Sequence, residues 1–184
     1  MKIEVITMWY NEEFLAPFFL NNYTFADKIT VIIDKDSTDK CEEIARSYPN
    51  TSIEYVYFPN LLETQIAVDR ANESLQRSNA DWVIMVDCDE FVSPNGIREI
   101  LEQETSDILF VRFYQPFRYI SDKDLNSNIS VFEQRRHGDP YVVKGQNREG
   151  KKPCVVRTGK KIKFMPGIIK YGTDIDSLRV RRCY

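Results

Sequence analysis

Apolar runs of strand length alternate with stretches of helical spacing over the first half of the chain. Four such runs, KIEVITM, KITVIID, SIEYVYF and DWVIMVD, occupy residues 2–8, 28–34, 52–58 and 81–87. The stretch between the second and third runs carries apolar side chains at i, i+3, i+4 and i+7, namely Cys41, Ile44, Ala45 and Tyr48. Apolar strands that alternate with helices are typical of a parallel sheet covered by helices on both faces. The sequence therefore predicts an α/β fold.

Local signals indicate where the other helices begin. Pro17 is expected to kink or restart the helix that follows the first strand, because proline lacks the N–H that a helix interior needs. A longer helix is predicted from about residue 61 to 78. After the fourth strand, Ser93 and Pro94 are predicted to start a short helix, as its N-cap and its first turn.

Beyond residue 106 the alternation stops. DILFVRFYQPFRYI is predicted to form a long aromatic strand, and four shorter strand-like pieces follow it, SVFEQRR, YVVK, PCVVR and KIKF. Gly, Pro, Asn and Asp residues join these pieces. We therefore expect antiparallel strands and loops added to the parallel sheet, in a region that binds a second substrate or forms a lid.

The length and composition suit one globular domain. With 184 residues, 42% of them hydrophobic, the chain can bury a core of ordinary size. It has no apolar run long enough to cross a membrane, and MKIEVITMWYNEE lacks the apolar core of a signal peptide, so a cytoplasmic location is expected. The cysteines lie far apart without a C-x-x-C pair, which argues against a disulfide framework or a thiolate zinc site and predicts reduced, mostly buried thiols.

Charge is distributed unevenly along the chain. The formal net charge is −3, yet residues 144–184 hold twelve lysines and arginines against three acids. A basic segment of this kind could contact nucleotide phosphates, an anionic acceptor or the headgroups of a lipid surface. The alternative is a solvated segment without a binding role, because runs of charge usually lie on exposed faces.

Polar and acidic clusters follow three of the four predicted parallel strands. WYNEE comes after the first strand, DKDSTD after the second and DCDE after the fourth. In open parallel sheets ligands bind beyond the carboxyl ends of the strands, so the clusters are predicted to converge on one crevice. Asp-x-Asp occurs four times in the sequence, but only Asp34/Asp36 and Asp87/Asp89 follow apolar strands. Carboxylates grouped at the end of a buried strand need compensation, most often by a metal ion or a catalytic proton.

The three clusters, in this order and spacing, resemble the nucleotide-sugar half of family 2 glycosyltransferases with the GT-A fold. The segments that carry the resemblance are TMWYNEEFL, VIIDKDSTDKCEEIA and DWVIMVDCDEFV, and the similarity covers roughly residues 1–115. It implies one GT-A-like domain over 1–184, with a Rossmann-like, mostly parallel sheet flanked by helices. Residues 1–115 would bind the nucleotide sugar, and residues 116–184 would bind the acceptor or form a lid.

The activity implied by this resemblance is transfer of a sugar, of hexosyltransferase type, from a nucleotide sugar to an acceptor hydroxyl. A UDP-sugar donor is favoured, with inversion at the transferred carbon, in the synthesis of polysaccharide or glycolipid. No nucleic acid partner is implied. Peripheral membrane contact through the basic C-terminal segment, on the cytoplasmic face, would suit a lipid-linked acceptor.

The resemblance also implies roles for particular residues in the nucleotide site. Met8 stands where the family's P-x-Y-N segment has its proline, and the same segment places Tyr10 against the nucleobase and Asn11 beside it. The second segment places Asp34 at the base or ribose, with Ser37 opening the next helix.

The third segment is the family's D-x-D motif, and it implies the metal site. Asp87 would lie near the ribose and the cation, and Asp89 would bind the divalent cation, Mn²⁺ or Mg²⁺. The chemistry supports this implication, because breaking the glycosidic bond puts negative charge on a diphosphate. A hard cation held by one or two carboxylates and bridging the phosphates stabilises that charge.

Inverting transfer further needs a general base for the acceptor hydroxyl, and the resemblance leaves it unplaced. Where a histidine is expected after the Pro-Gly of the late strand pair, the chain has Ile168 and Ile169. Asp139 and Glu133 are the candidates, and both lie near His137, the one histidine in the sequence. A single histidine excludes a metal site built on two histidines.

Other interpretations of the same residues stay open. Trp9 and Tyr10 could belong to the core, and Asp34 and Asp39 could cap the helix predicted to start near Ser37. Glu90 could be a capping or salt-bridge residue. These readings would give the acidic clusters a structural role only.

Two rival functions are also weighed. VIIDKDST matches the first motif of haloacid-dehalogenase-like phosphatases, in which Asp34 would be a nucleophile and Asp36 its acid/base partner. That motif normally ends the first strand, whereas here a whole strand and helix precede it. The second rival, a non-catalytic module that binds nucleotide sugars, fits the unplaced base.

Overall fold

The structure is a computed structural model that describes residues 1–57, 64–112, 126–131, 151–160, 162–165, 168–171 and 180–182. In the first half, strands alternate with helices in the order β1 (Ile3–Trp9), α1 (Ala16–Asn22), β2 (Lys28–Asp34), α2 (Cys41–Arg46), β3 (Thr51–Val56), α3 (Thr64–Arg77) and β4 (Trp82–Met85). The later elements are α4 (Ile97–Gln103), β5 (Ile108–Arg112), β6 (Lys151–Arg157), β7 (Ile162–Met165), β8 (Ile168–Tyr171) and β9 (Val180–Arg182).

Seven of these strands form one sheet in the order β3-β2-β1-β4-β6-β5-β9. The first four strands of this order are mutually parallel. β6 then runs antiparallel between β4 and β5, and β9 lies parallel to β5 at the far edge. β7 and β8 form a separate antiparallel pair. The predicted α/β fold, with antiparallel strands added in the second half, is therefore confirmed.

The two faces of the parallel strands pack against different helices. On one face, residues such as Val5 and Ile29 join a cluster that includes Phe19 of α1, Ala45 of α2 and Leu101 of α4. On the other face, strand residues join a smaller cluster with α3, made up of Ile6, Ile32, Val83, Met85, Ala71 and Leu75 among others. Burial on both faces explains why the strands are apolar throughout rather than alternating.

Several element boundaries differ from the sequence prediction. The predicted helix 61–78 is α3, described from Thr64 to Arg77. Pro17 lies in the first turn of α1, so it starts the helix rather than bending it. The helix predicted near Ser37 begins four residues later, at Cys41. The predicted aromatic strand is β5 up to Arg112, and its remainder lies outside the described residues, as do YVVK and most of SVFEQRR.

The predicted start of α4 at Ser93 and Pro94 is wrong. The helix begins at Ile97, and its N-cap is Gly96, which has a φ of 72° and makes no side-chain capping bond. Glycine suits this left-handed position because it has no Cβ to collide with the backbone. The turn that carries Ser93 and Pro94 therefore precedes the helix and does not cap it.

Two further expectations concern the whole chain. Cys41, Cys88 and Cys154 are free and buried, as predicted, and Cys183 lies outside the described residues. No helix in the described part of the chain is long and apolar enough to cross a membrane.

Replacing Gly96 by alanine should lower the free energy of unfolding by about 1 kcal/mol, because a left-handed φ strains any residue with a Cβ. Steric collision adds little, since the nearest atom to an added Cβ is Glu99 Oε2 at 4.0 Å. Gly96→Asn should recover part of the loss, because asparagine tolerates this conformation better. Urea denaturation of both variants, with the exposed Asn95→Ala as control, measures the effect. Equal stability of Gly96→Ala and wild type would contradict it.

Candidate nucleotide-binding site

The loops that follow β1, β2 and β4 lie at the same edge of the sheet. These three strands are parallel, so their carboxyl ends point the same way, and β1 lies between the other two. The loop after β1 is therefore flanked by the loop after β2 on one side and by the Asp87–Glu90 turn on the other. This is the edge at which open parallel sheets bind ligands.

Asn11 joins the first loop to the second. Its backbone N–H donates to Ser37 Oγ at 3.3 Å, and its Oδ1 accepts the N–H of Thr38 at 2.8 Å. Asn11 is also the one non-glycine residue with positive φ in the described part of the chain, at 54°. Asparagine is among the residues that tolerate this conformation, so its side chain and its backbone both fit the position.

Glu13 makes a second reciprocal pair with the same loop. Its N–H donates to Asp39 Oδ2 at 2.6 Å, and its Oε2 accepts the N–H of Lys40 at 3.3 Å. Asp39 Oδ1 in turn accepts the N–H of Cys41, the first residue of α2, at 3.1 Å. Burial raises the pKa of the Asp39 carboxyl, but these hydrogen bonds and one with the Cys41 thiol outweigh it and hold the pKa below its usual value. Asp39 therefore has the capping role that the sequence left open.

Asp34 has a different position. It ends β2 with its side chain 2% exposed, and its Oδ1 accepts the N–H of Asp36 at 3.0 Å. Since α2 begins seven residues later, Asp34 does not cap that helix. It shapes the start of the loop and stands beneath the crevice.

The two aromatic residues at the end of β1 differ in solvent exposure. Trp9 is 1% exposed, belongs to the core, and donates from Nε1 to Thr7 Oγ1 at 3.1 Å. Tyr10 is 39% exposed at the edge of the sheet. The core interpretation is therefore right for Trp9 and wrong for Tyr10. Met8 is half-buried and packs against the cluster on the α3 face.

The acidic residues of the DCDE turn, residues 87–90, differ in burial. Glu90 is 4% exposed, and its Oε2 accepts the N–H of Asp87 at 3.0 Å, while its own N–H donates to Asp87 O at 3.0 Å. Glu90 therefore closes the turn, which agrees with the structural role left open for it. Asp87 is exposed and Asp89 is half-buried, with Cys88 buried between them.

Glu12 is the acidic residue that sequence reasoning did not assign. Burial, followed by the negative charges of Asp89, Asp39 and Asp87, raises the pKa of its carboxyl from 4.5 to about 7. Its backbone oxygen accepts the N–H groups of Leu15 and Ala16, where α1 begins. No local pattern in the sequence distinguishes Glu12 from its neighbours, because the charges that act on it follow other strands.

The carboxylates of Asp39, Asp87 and Asp89 are thus close enough to influence that of Glu12. Within the described ranges, however, no group of three or more His, Cys, Asp or Glu side chains has the geometry of a metal site. The thiols add no ligand, because burial raises the pKa of Cys41 to about 11 and that of Cys88 well above its usual value. Both thiols stay protonated at neutral pH. The candidate bases Asp139 and Glu133 lie outside the described residues, as does His137.

A parallel sheet with polar and acidic loops at its carboxyl edge is the arrangement of nucleotide-binding α/β proteins. The model of the family described as glycosyl transferase family 2 matches residues 4–164. The match spans most of the chain, and the protein belongs to this family. No curated protein sequence matches the chain.

Among solved structures, S. aureus TarS (residues 1–349) is similar with a TM-score of 0.50 and 21% identity, over 61% of this chain and 35% of that one. Glucosyl-3-phosphoglycerate synthase from Mycobacterium tuberculosis is similar with a TM-score of 0.44 and 17% identity, over 59% of this chain and 43% of that one. The likeness concerns the fold. The chain spans about a third of the length of the TarS structure.

Replacing Glu12 by glutamine should flatten the pH dependence of stability. The folded pKa of about 7 lies above the ordinary 4.5, so the folded state holds a proton that the unfolded state has lost. Stability of the wild type should therefore fall as pH rises from 4.5 to 7. After allowance for solvent screening, the loss relative to Glu12→Gln should be about 1–2 kcal/mol.

Urea denaturation at pH 5 and pH 8 in EDTA measures this difference. The control is Glu102→Gln, an exposed glutamate near the end of α4. A Glu12→Gln variant that loses as much stability as the wild type between the two pH values would refute the proximity of these carboxylates.

Proposed function

We propose that this chain binds a nucleotide sugar at the carboxyl edge of its sheet and transfers the sugar to an acceptor hydroxyl. The observation that carries the proposal is the meeting of three loops at one edge, with Tyr10 and Asp87 exposed and Asp89 half-buried. Membership of the glycosyltransferase family supplies the reaction type.

The donor would lie across the three loops. Tyr10 offers an exposed ring to the nucleobase, and Asp34 lies at the end of β2 where a base or ribose would be recognised. Asp87 would take the ribose side of the crevice. Asn11 and Ser37 hydrogen-bond to each other between the loops after β1 and β2. We therefore propose that they hold these loops in place around the nucleotide. Met8, half-buried beneath the same loop, supports it from the α3 face.

A divalent cation, Mn²⁺ or Mg²⁺, fits the donor set of this edge. Carboxylate oxygens are the ligands that these hard cations prefer, and Asp89 and Asp87 present them. Burial and then the negative charges of Asp89, Asp39 and Asp87 raise the pKa of Glu12, and a cation would offset those charges. When bound, the cation would stabilise the charge that develops on the leaving diphosphate.

A UDP-sugar is the favoured donor, and solved complexes guide the choice of probes. TarS has been solved with UDP-GlcNAc, and the mycobacterial synthase with UDP together with Mn²⁺ or Mg²⁺. For this chain the sugar is proposed only as a class, transferred with inversion to a saccharide or glycolipid acceptor.

The acceptor side is assigned to residues 116–184. Asp139 and Glu133 remain the proposed candidates for the general base that takes the proton of the acceptor hydroxyl. The division into a donor half, 1–115, and an acceptor half is likewise a proposal. β6 and β9 of the acceptor half join the sheet of the donor half, so the two halves share one sheet.

The phosphatase alternative has little support. The family that matches the chain is a glycosyltransferase family and not a phosphatase family. β2 is also the second strand of the chain rather than the first.

A non-catalytic binding module differs from the proposed enzyme only in turnover, so a transfer assay separates the two.

Replacing Asp89 by alanine should remove the enhancement of UDP binding by Mn²⁺ and leave the fold intact. The half-buried carboxylate is the proposed cation ligand, and its loss should abolish most of a gain that we expect to be roughly tenfold or more, about 1.4 kcal/mol. Calorimetry with UDP in Mn²⁺ and in EDTA measures it, with Glu102→Ala as control. Equal UDP affinity in Mn²⁺ and EDTA for the wild type would count against the metal site. In a separate transfer assay, absence of UDP release from any UDP-sugar would favour a binding module.

Contact with an anionic membrane through the basic C-terminal segment is proposed for a lipid-linked acceptor, and a cytoplasmic location stays a prediction. β9 belongs to the sheet, so truncation before it would remove a paired strand along with the charge. Reversing the charge of Arg181 and Arg182 together is the cleaner change. Near an anionic leaflet each basic residue contributes about 1 kcal/mol, so the double Arg→Glu variant should lose most liposome binding.

Co-sedimentation with anionic and neutral liposomes at low and high salt measures this contact. Attraction that is Coulombic should weaken as the Debye length shortens from about 10 Å at 0.1 M to about 3 Å at 1 M. Equal sedimentation of wild type and variant with anionic liposomes would assign the basic segment to a solvated surface.

A further inference from the structure

Tyr23, which follows the last residue of α1, contacts the backbone beyond the DCDE turn. Its hydroxyl donates to Glu90 O at 2.9 Å and accepts the N–H of Val92 at 3.1 Å. The neighbouring Asn22 donates from Nδ2 to Val92 O at 3.1 Å. Three hydrogen bonds from the end of one helix thus reach residues 90–92.

The hydroxyl of Tyr23 is suited to this double contact. A phenol can donate one hydrogen bond and accept others, so a single oxygen satisfies both a carbonyl and an N–H. Burial raises the pKa of Tyr23 well above its ordinary value, so the hydroxyl keeps the proton that it donates to Glu90 O. A phenylalanine in its place would leave both backbone groups buried without this partner.

The ring of Tyr23 is fixed by aromatic neighbours. The side chain is fully buried, with ring centroids 4.5 Å from Phe19 and 5.7 Å from Phe25. Phe19 also contacts Trp9, the last residue of β1, at 5.9 Å in an edge-to-face arrangement. The hydroxyl therefore has a defined position relative to the sheet, because packing leaves the ring no alternative rotamer without a void.

The other end of the turn is tied to the sheet. Val86 donates its N–H to Ile6 O at 3.2 Å, one residue beyond the described end of β4. Between Val86 and Glu90, the turn closes on itself through the Asp87 and Glu90 hydrogen bonds. The acidic turn is thus held by β1 before it and by α1 after it.

We propose that Tyr23 is a positioning residue for the donor site, which holds the DCDE turn so that the Asp89 carboxylate meets the cation and diphosphate of the nucleotide sugar. This inference rests on the proposed function. Tyr23 is buried in the core and touches no ligand itself, so it acts through the backbone of residues 90–92.

The test compares Tyr23→Phe with Tyr48→Phe. Tyr48 donates its hydroxyl hydrogen bond to the end of α1, to Asn21 Oδ1 at 3.0 Å, rather than to the acidic turn. The Tyr23 hydroxyl contacts residues 90 and 92, whereas the Tyr48 hydroxyl contacts α1, so the pair separates a general loss of stability from a local effect on the turn. Asn22→Ala, which removes one of the three hydrogen bonds, is the milder variant if Tyr23→Phe does not fold.

The first measurement is amide hydrogen exchange of the metal-free proteins, which does not depend on ligand binding. In Tyr23→Phe, exchange should accelerate in peptides that cover residues 86–92 and stay unchanged in those that cover β2. Tyr48→Phe should leave residues 86–92 unchanged. A uniform acceleration over the chain, or none at all, would overturn the proposal.

The second measurement is the ratio of UDP affinities in Mn²⁺ and in EDTA, at a temperature where each variant is folded. Loss of turn geometry in Tyr23→Phe should reduce this ratio roughly tenfold, while UDP affinity in EDTA changes little. An unchanged ratio alongside accelerated exchange would overturn the positioning role. A wild type without Mn²⁺-dependent binding would refute the proposed metal site, and the exchange data would still decide whether Tyr23 holds the turn.

Discussion

The site depends on hydrogen bonds that cross from one loop to its neighbour. Past the ends of β1 and β2, backbone N–H groups have no strand to pair with, so side chains of the neighbouring loop act as their acceptors. The side chains of Asn11, Glu13 and Asp39 supply the acceptors. The same bonds fix how far apart the loops stand, so the crevice keeps its width without a bound ligand.

This arrangement also separates residues that support the site from residues that face it. In the segment after β1, Asn11 and Glu13 hydrogen-bond to the loop after β2. Glu12 lies between them, and the charges of Asp87 and Asp89 contribute to its raised pKa. In the turn after β4, Glu90 points inward and closes the backbone. Acidic residues that look equivalent in the sequence thus have two different roles. Some accept hydrogen bonds from backbone N–H groups of the loops, and the others face the site.

The sequence predicted the fold well because apolar strands and periodic helices are local signals. The bounds of β2 agree with the predicted strand, and the convergence of three polar loops follows from strand direction alone. The start of α4 was missed because serine and proline give a strong capping signal, whereas the left-handed Gly96 depends on the path of the chain around it. The roles of Glu12 and Tyr23 could not be read locally either. They arise from contacts with residues about 70 positions away, which no single-sequence pattern encodes.

The order of the strands has a consequence for how the chain acquires its structure during synthesis. β4 pairs with β1 on one side, but its other side is covered by β6, whose residues Val155 to Arg157 are made more than seventy positions after Trp82. Until that later segment emerges, a row of backbone N–H and C=O groups next to the acidic turn stays open to water and to other chains. β5 likewise lacks its neighbour until β6 is made, because β6 lies between β5 and β4. The acidic turn after β4 is therefore made well before the strand that covers its neighbour, and β6 must insert between β4 and β5 before β9 adds the far edge.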